Sequence, residues 1–336
     1  MSGSAEQGDE RGTGSGRTTV DATALAGHSD AVSRHDALQY QDDDQLLDAV
    51  VPYLREGASA GDSVVLICHP DNAARLRDAL GDHPVAELRR EDVYGGTVAA
   101  LTAYRDLAER ERQRGSGRVR VVTEIDFGSR PSGQWEWARF DAALGQALAD
   151  YPVWNLCLYD RRRVPPEILR AGESSHSHLL AGGGRVPSAG YLDAATLLGA
   201  ASMRWRDPLE DSPPRLDVAE PHDLAALRAA VEQALLDDGM SAYAVQGFVL
   251  AVSEVATNAI LHGAPPVRVR LWSDGVRALC SVSDGGHCFS AYSGYVPTDR
   301  AVGAGGMGLW LARQMSDDLT VDATPDGCTV RLGINT

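Results

Sequence analysis

A chain of 336 residues, 43% apolar and 23% charged, has the length and core material for two domains, which excludes a wholly disordered or fibrous protein. Its 31 basic residues are all arginine, so a Schiff-base lysine, a P-loop lysine and a lysine general base are excluded. The net charge of −16 is spread over both halves, with 32 acidic and 23 basic residues up to position 210 and 15 and 8 beyond it. Neither half carries the basic footprint that nucleic acid or an anionic membrane requires, so neither partner is expected.

Residues 1–32 are rich in Gly, Ser, Thr and acidic side chains and read as a disordered tail without the apolar core of a signal peptide. No apolar run approaches the ~18 residues of a membrane span. The five cysteines (Cys68, Cys157, Cys280, Cys288, Cys328) are scattered, without a CxxC pair or a metal-ligand spacing. Free thiols in a reducing cytoplasm are therefore the expectation.

From residue 33 short apolar runs alternate with helical periodicity. Strands are expected at Asp36–Tyr40, Val64–Cys68, Val119–Ile125 and Val153–Tyr159. Between them the pattern predicts helices over Asp42–Leu54 (stopped by Gly57), after a cap at Asp71, over Thr97–Arg114 and over Gln134–Leu148. That alternation implies an α/β domain with a mostly parallel sheet, placed at 33–200. The glycines around 182–184 break the pattern, Tyr191–Arg204 reads as a connecting helix, and 201–213 reads as a linker. The last region, 214–336, differs. Helices are predicted from Leu224 to before Gly239 and, with near-perfect period, from Val245 to Ile260. Strands Val267–Trp272 and Ala278–Ser283 follow, joined across Ser273-Asp274-Gly275. A loop of about twenty residues leads to a helix Gly308–Met315 and to strands Leu319–Ala323 and Cys328–Ile334. Helices on one face of an antiparallel sheet make an α+β two-layer sandwich.

This last region carries the chemistry. Glu254 and Asn258 lie four apart on the strongest helix and outside its apolar stripe, so they share a side. Asp284-Gly285-Gly286 closes the second hairpin strand, and Gly303-Ala304-Gly305-Gly306-Met307-Gly308 opens straight into a helix, where free N–H groups suit a phosphate. Singly these suit a solvated helix face, a turn and a loop; their order and spacing together are specific. They resemble the GHKL (Bergerat) ATP-binding fold shared by gyrase, histidine kinases and MutL. The resemblance implies ATP and Mg²⁺ as cofactors, with Glu254 as general base and Asn258 as Mg²⁺ ligand through its side-chain oxygen. It also implies Asp284 and Gly286 at the adenine, Gly306 and Gly308 at the phosphates, Thr329 near the adenine, and a lid over 287–305. This fold uses no P-loop lysine.

Within that group, the compact form with Gly-Leu-Trp-Leu-Ala-Arg (308–313) and Asp-Gly-Cys-Thr-Val-Arg-Leu (326–332) is similar to the anti-sigma-factor serine kinases. That similarity implies a domain that sequesters a sigma factor and phosphorylates a serine of an anti-anti-sigma antagonist of the STAS fold, in a possible homodimer. Two other readings stay open: a nucleotide-gated binding module without phosphotransfer, and an orphan histidine-kinase-like protein. No long dimerisation helix carries His176, His178 or His222, which tells against the last.

In the first domain, parallel strands ending at Glu124 and Asp160 would set both carboxylates on one rim of the sheet, with Trp135 on the adjacent helix, as a candidate sensory pocket. The segments His35–Tyr40, Leu54–Gly57, Trp137–Leu144, Cys157–Asp160 and Ser175–His178 resemble the MEDS sensory domain of bacterial regulators, which implies sensing of a small organic signal. His35 and His178 are further candidates for ligand contact.

Overall fold

The computed structural model describes residues 33–336 except 115–116, 183, 201–202, 204, 297–306 and 325. The expected tail over 1–32, part of the expected linker, Gly306 and the second half of the expected lid lie outside the described residues.

The first domain runs β1 (Arg34–Tyr40), α1 (Asp43–Ala60), β2 (Ser63–Ile67), α2 (Pro70–Leu80), β3 (Ala86–Glu87), α3 (Arg90–Val93), α4 (Thr97–Arg114), β4 (Val119–Thr123), α5 (Pro131–Ala147), β5 (Val153–Asp160), α6 (Pro166–Ser175), β6 (His178–Ala181), β7 (Gly184–Pro187) and α7 (Ala194–Gly199). Its seven-stranded sheet has the order β3-β2-β4-β5-β1-β6-β7. All pairings are parallel except that of β7, which folds back on β6. All eight residues of β5 are buried, because a central parallel strand is covered on both faces. Leu156 and Leu158 meet α1 and α2, while Val153, Cys157 and Tyr159 meet the layer of α4, α5, α6 and α7.

Three local expectations are corrected. Gly57 does not end α1, which continues to a left-handed Gly61. Instead a Cβ on Gly57 would fall 2.4 Å from Cδ of the buried Arg120, so this glycine makes room for a guanidinium bonded to Asp62 and Glu56. Helix α2 is capped by His69, with Pro70 in its first turn, rather than by Asp71. Of the helix expected over Tyr191–Arg204, the described residues form α7 at Ala194–Gly199, while 201–202 and 204 lie outside the described residues; α6 and the β6–β7 hairpin occupy a stretch where no element was expected.

The second domain runs β8 (Leu216–Ala219), α8 (Leu224–Asp237), α9 (Ala242–His262), β9 (Arg268–Ser273), β10 (Arg277–Asp284), α10 (Met307–Gln314), β11 (Asp318–Thr324) and β12 (Gly327–Asn335). Five antiparallel strands in the order β11-β12-β10-β9-β8 carry the three helices on one face. Both domains have the fold classes expected for them. Helix α9 is long and apolar enough to cross a membrane, with a mean hydropathy of 1.5 over its most apolar stretch. Its Val245, Phe248, Val252, Val255, Ala256 and Ala259 are buried in the core over the sheet. Edge strand β8, four residues long, was not expected.

Helices α5 and α7 pack on β11, and α4 packs on α10. At this junction Glu136 of α5, Arg139 and Arg313 are all buried. Glu136 pairs with Arg139 at 3.0 Å and Arg313 at 3.5 Å, and accepts a hydrogen bond from the Leu319 amide. The stretch before β8 is bonded to the second sheet as well, with Asp207 on Arg277 and Glu210 on Arg331.

The expectation of free thiols fails at two positions. Cys288 and Cys328 form a disulfide, their Cα atoms 4.8 Å apart and their positions 40 residues apart in the chain. Strand pairing sets Cys328 opposite Asp284, only four residues before Cys288. No sequence spacing signals that proximity. Cys68, Cys157 and Cys280 are free and buried.

Candidate functional site

Helix α9 is capped by Ser241 and carries Glu254 and Asn258 one turn apart, both half-buried. The first turn of α10 arrives directly against them. A Cβ on Gly308 would lie 2.9 Å from Glu254 Oε2 and 3.2 Å from Asn258 Nδ2, so with these two side chains in place the approach has room for glycine alone. The start of a helix has N–H groups without intrahelical partners, and here that start adjoins a carboxylate and an amide oxygen.

Asp284 ends β10 just past the C-terminus of α9. Its Oδ1 accepts hydrogen bonds from the amides of Gly286 (2.7 Å) and Ala264 (3.3 Å). Its Oδ2 has no hydrogen-bond partner among the described residues. Glycines bracket the carboxylate: a Cβ on Gly263 would sit 2.5 Å from Asp284 Cγ, and one on Gly286 would sit 2.8 Å from Oδ1. Gly327, at φ +142°, would place a Cβ on the Asp284 carbonyl, so the turn into β12 needs glycine too.

Thr329 is a correction. Antiparallel register pairs Cys328 with Asp284 and Thr329 with Ser283. Side chains alternate along a strand, and Cys328 and Val330 are buried beneath the helices. Thr329 therefore lies on the opposite face from Asp284, and the residue beside that carboxylate's strand position is Cys328, tied to Cys288.

The described part of the expected lid, 287–296, is fastened to the first domain. Arg313 donates to the carbonyls of Ala291, Ser293 and Leu319, and its guanidinium lies 3.9 Å from the centre of the Tyr295 ring. Tyr295 is buried within the α4–α5 core, and burial pushes its hydroxyl well above its ordinary pKa. Nothing in the sequence marks Glu136, Arg139, Tyr295 and Arg313 as partners, since 156 or more positions separate the two α5 residues from Tyr295 and Arg313.

Of the expected sensory pocket, Glu124 accepts hydrogen bonds from Asn72 Nδ2 and the His69 amide, on the side of α1 and α2 where Tyr40 is buried. Asp160 is chelated by Arg162, whose guanidinium and amide outweigh burial and hold the carboxyl below its ordinary pKa. Trp135 packs on the opposite face, in the α4–α5 cluster. His178 bonds Ser177 on β6.

Two family descriptions match this chain. Residues 34–177 match the MEDS domain, the methanogen/methylotroph, DcmR sensory domain, and residues 218–334 match the histidine kinase-like ATPase domain. The chain joins a MEDS domain to a histidine kinase-like ATPase domain. Among solved structures, the RsbU and RsbW domains of Rv1364c from Mycobacterium tuberculosis match at 20% identity with a TM-score of 0.27, over 37% of this chain. The chain covers 32% of that protein's length. A search of curated proteins gives no match.

Within the ATPase domain the structure brings together Glu254, Asn258 and Gly308, and separately frames Asp284 with Gly263 and Gly286. The MEDS domain contributes Glu136 and Arg139 to the junction that holds the beginning of the lid.

Proposed function

We propose that this protein is a cytoplasmic anti-sigma regulatory kinase. Its ATPase domain binds ATP with Mg²⁺, sequesters a sigma factor and phosphorylates a serine of a STAS-type antagonist, while the MEDS domain biases it according to a small-molecule signal. The observation that carries the reading is the contact of Gly308 with Glu254 and Asn258, where a Cβ would fill the space. The donor set fits the group. Asn258 offers a neutral amide oxygen to a hard cation, which supplies charge neutralisation at the phosphates. Asp284 Oδ2, without a hydrogen-bond partner among the described residues, suits an adenine amino group, and the α10 start, with Gly306 ahead of it in sequence, suits phosphate oxygens. Glu254 accepts the proton of the attacking serine hydroxyl. A bond forms from the serine oxygen to the γ-phosphorus, the bond to the β-phosphate oxygen breaks, and ADP leaves.

The docking of 287–296 on the MEDS domain favours a second reading, in which nucleotide only sets the shape of the lid and of the partner-binding face. The orphan histidine-kinase reading is less well supported: among the described residues His176 is fully buried, His178 stands on a strand, and His222 lies in the loop before α8 rather than on a long helix. Incubation of the full chain with γ-labelled ATP, Mg²⁺ and candidate STAS proteins separates these readings. Label on a STAS serine, lost in Glu254→Ala, is expected. Absence of label with normal partner capture and release by Glu254→Ala leaves the nucleotide-gated module. Co-purification of the full chain, followed by sizing, identifies the sigma factor and tests for the homodimer.

A further inference from the structure

The absence of metal-ligand spacing in the sequence does not hold in space. Four side chains from four separate segments converge inside the MEDS domain: His35 of β1, Asp141 of α5, Cys157 of β5, and His176 just past α6. One ligand-type atom from each lies within 4.8 Å of all the others. His35 Nε2 is 3.2 Å from Asp141 Oδ1 and 3.3 Å from Cys157 Sγ; Cys157 Sγ is 3.3 Å from Asp141 Oδ1; His176 Nε2 is 3.6 Å from Asp141 Oδ2. The edges of a tetrahedron around an ion with bonds of ~2.0–2.3 Å to N, O and S are about 3.3–3.6 Å.

A second observation points the same way. His176 is fully buried, and its Nδ1 is 2.7 Å from the Gly172 carbonyl, which can only accept. Nδ1 therefore carries the proton, and Nε2 presents a lone pair toward the cluster. That buried Nε2 has no hydrogen-bond partner. A lone pair aimed at a carboxylate is unfavourable for a core imidazole and is the arrangement of a metal-ligating one, whose other nitrogen donates to a backbone carbonyl. The outer groups are consistent too. Asn155 Nδ2 (3.1 Å) and Thr123 Oγ1 (3.5 Å) donate to Cys157 Sγ, and Tyr159 and Ser175 hydroxyls donate to Asp141. Small residues make the room: a Cβ on Gly145 would press on His35 Nδ1 at 3.0 Å, and one on Gly172 would meet the Tyr159 ring at 2.7 Å. The side chain of His35, 11% exposed, forms the rim by which an ion enters.

We propose that His35, Asp141, Cys157 and His176 bind one divalent transition-metal ion of the zinc class, through two imidazoles, a thiolate and a carboxylate. Binding displaces the Cys157 thiol proton to solvent, and no oxidant or reductant is needed. A cysteine–histidine nucleophile is the weaker reading of the same residues. Cys157, on β5, is buried beneath α5, so its sulfur is closed to a substrate arriving from solvent.

The full-length chain, stripped with chelator and titrated with Co²⁺, tests this. The expected result is one equivalent bound, with visible bands of a tetrahedral site and a near-ultraviolet thiolate-to-cobalt band that Zn²⁺ then abolishes. Cys157→Ser should lose the thiolate band, His176→Gln should weaken binding at least about tenfold, and His83→Ala, at an exposed position outside the cluster, should behave as the unaltered chain. No stoichiometric Co²⁺, or a thiolate band that survives Cys157→Ser, overturns the proposal and leaves a hydrogen-bonded core network. Should the variants not fold, the spectrum of the unaltered chain decides alone, because absence of the thiolate band there overturns it equally.

Discussion

At Gly308 one absent methyl group decides whether α10 can meet Glu254 and Asn258. Gly308→Ala puts that methyl 2.9 Å from a carboxylate oxygen, so either the Glu254 carboxylate swings aside or the helix start shifts, and both disturb the Glu254–Asn258–Gly308 arrangement. We expect ATP affinity to fall about tenfold, equivalent to ~1.4 kcal/mol, with unchanged circular dichroism; calorimetric titration with ATP and Mg²⁺ reads it. Gly57→Val makes a steeper clash, against the stem of a buried arginine. It should cost about 1–3 kcal/mol of stability in urea unfolding and leave nucleotide affinity alone. Asp160 carries a pH signature. Its carboxyl is held low in the folded chain by Arg162, so its contribution is present above the ordinary carboxylate pKa of ~3.9 and is lost as pH falls through the depressed value. Asp160→Asn should therefore be less stable than the parent at neutral pH and approach it below about pH 3, as followed by thermal unfolding across pH.

The element that matters most is α5, because its two sides face different partners. Glu136 and Arg139 hold the lid and α10, and Asp141, about 7.5 Å further along the axis, belongs to the His–Cys cluster. Glu136→Gln leaves Arg139 and Arg313 buried without their shared countercharge. Removing one partner of a buried ion pair typically costs about 3–5 kcal/mol. We expect a drop of that order in urea unfolding, and faster tryptic cleavage within 287–306. Combining Glu136→Gln with Arg313→Met should cost less than the two separate losses together, since the two share one network. This helix also shows what a sequence reveals. Its periodicity and its end near Ala147 were legible, though its start at Pro131 falls three residues before the expected Gln134; the strands around Val64 and Val153 and the α9 pair Glu254 and Asn258 were legible too, because helix spacing is local. Glycine was the ambiguous letter. Gly57 read as a stop signal but serves side-chain packing, and only the fold distinguishes these uses. Thr329 was misplaced because a single-residue offset on a strand reverses the face, and the register is set by a distant partner strand. The cluster of His35, Asp141, Cys157 and His176 had no signal at all, being assembled by parallel strands whose order differs from their chain order.

At the scale of the molecule, the two domains share a buried charged junction, not a flexible tether. Asp207 and Glu210, in the stretch between them, are paired with Arg277 and Arg331 of the second sheet. A change in the position of α5 therefore reaches the beginning of the lid through a short run of buried contacts. This is a physical route by which the proposed signal in the MEDS domain would alter the proposed nucleotide site, and Co²⁺- or Zn²⁺-dependent change in ATP affinity measures it. The disulfide adds a topological consequence. Cys288–Cys328 closes the intervening chain into a covalent ring that contains most of the lid, α10 and β11. A single peptide cut anywhere in that ring, for example at Arg300, leaves one molecule of unchanged mass apart from the added water. Electrophoresis should show two pieces only after reduction, and a nicked but unreduced protein should keep both flanks of the proposed nucleotide site in a single particle.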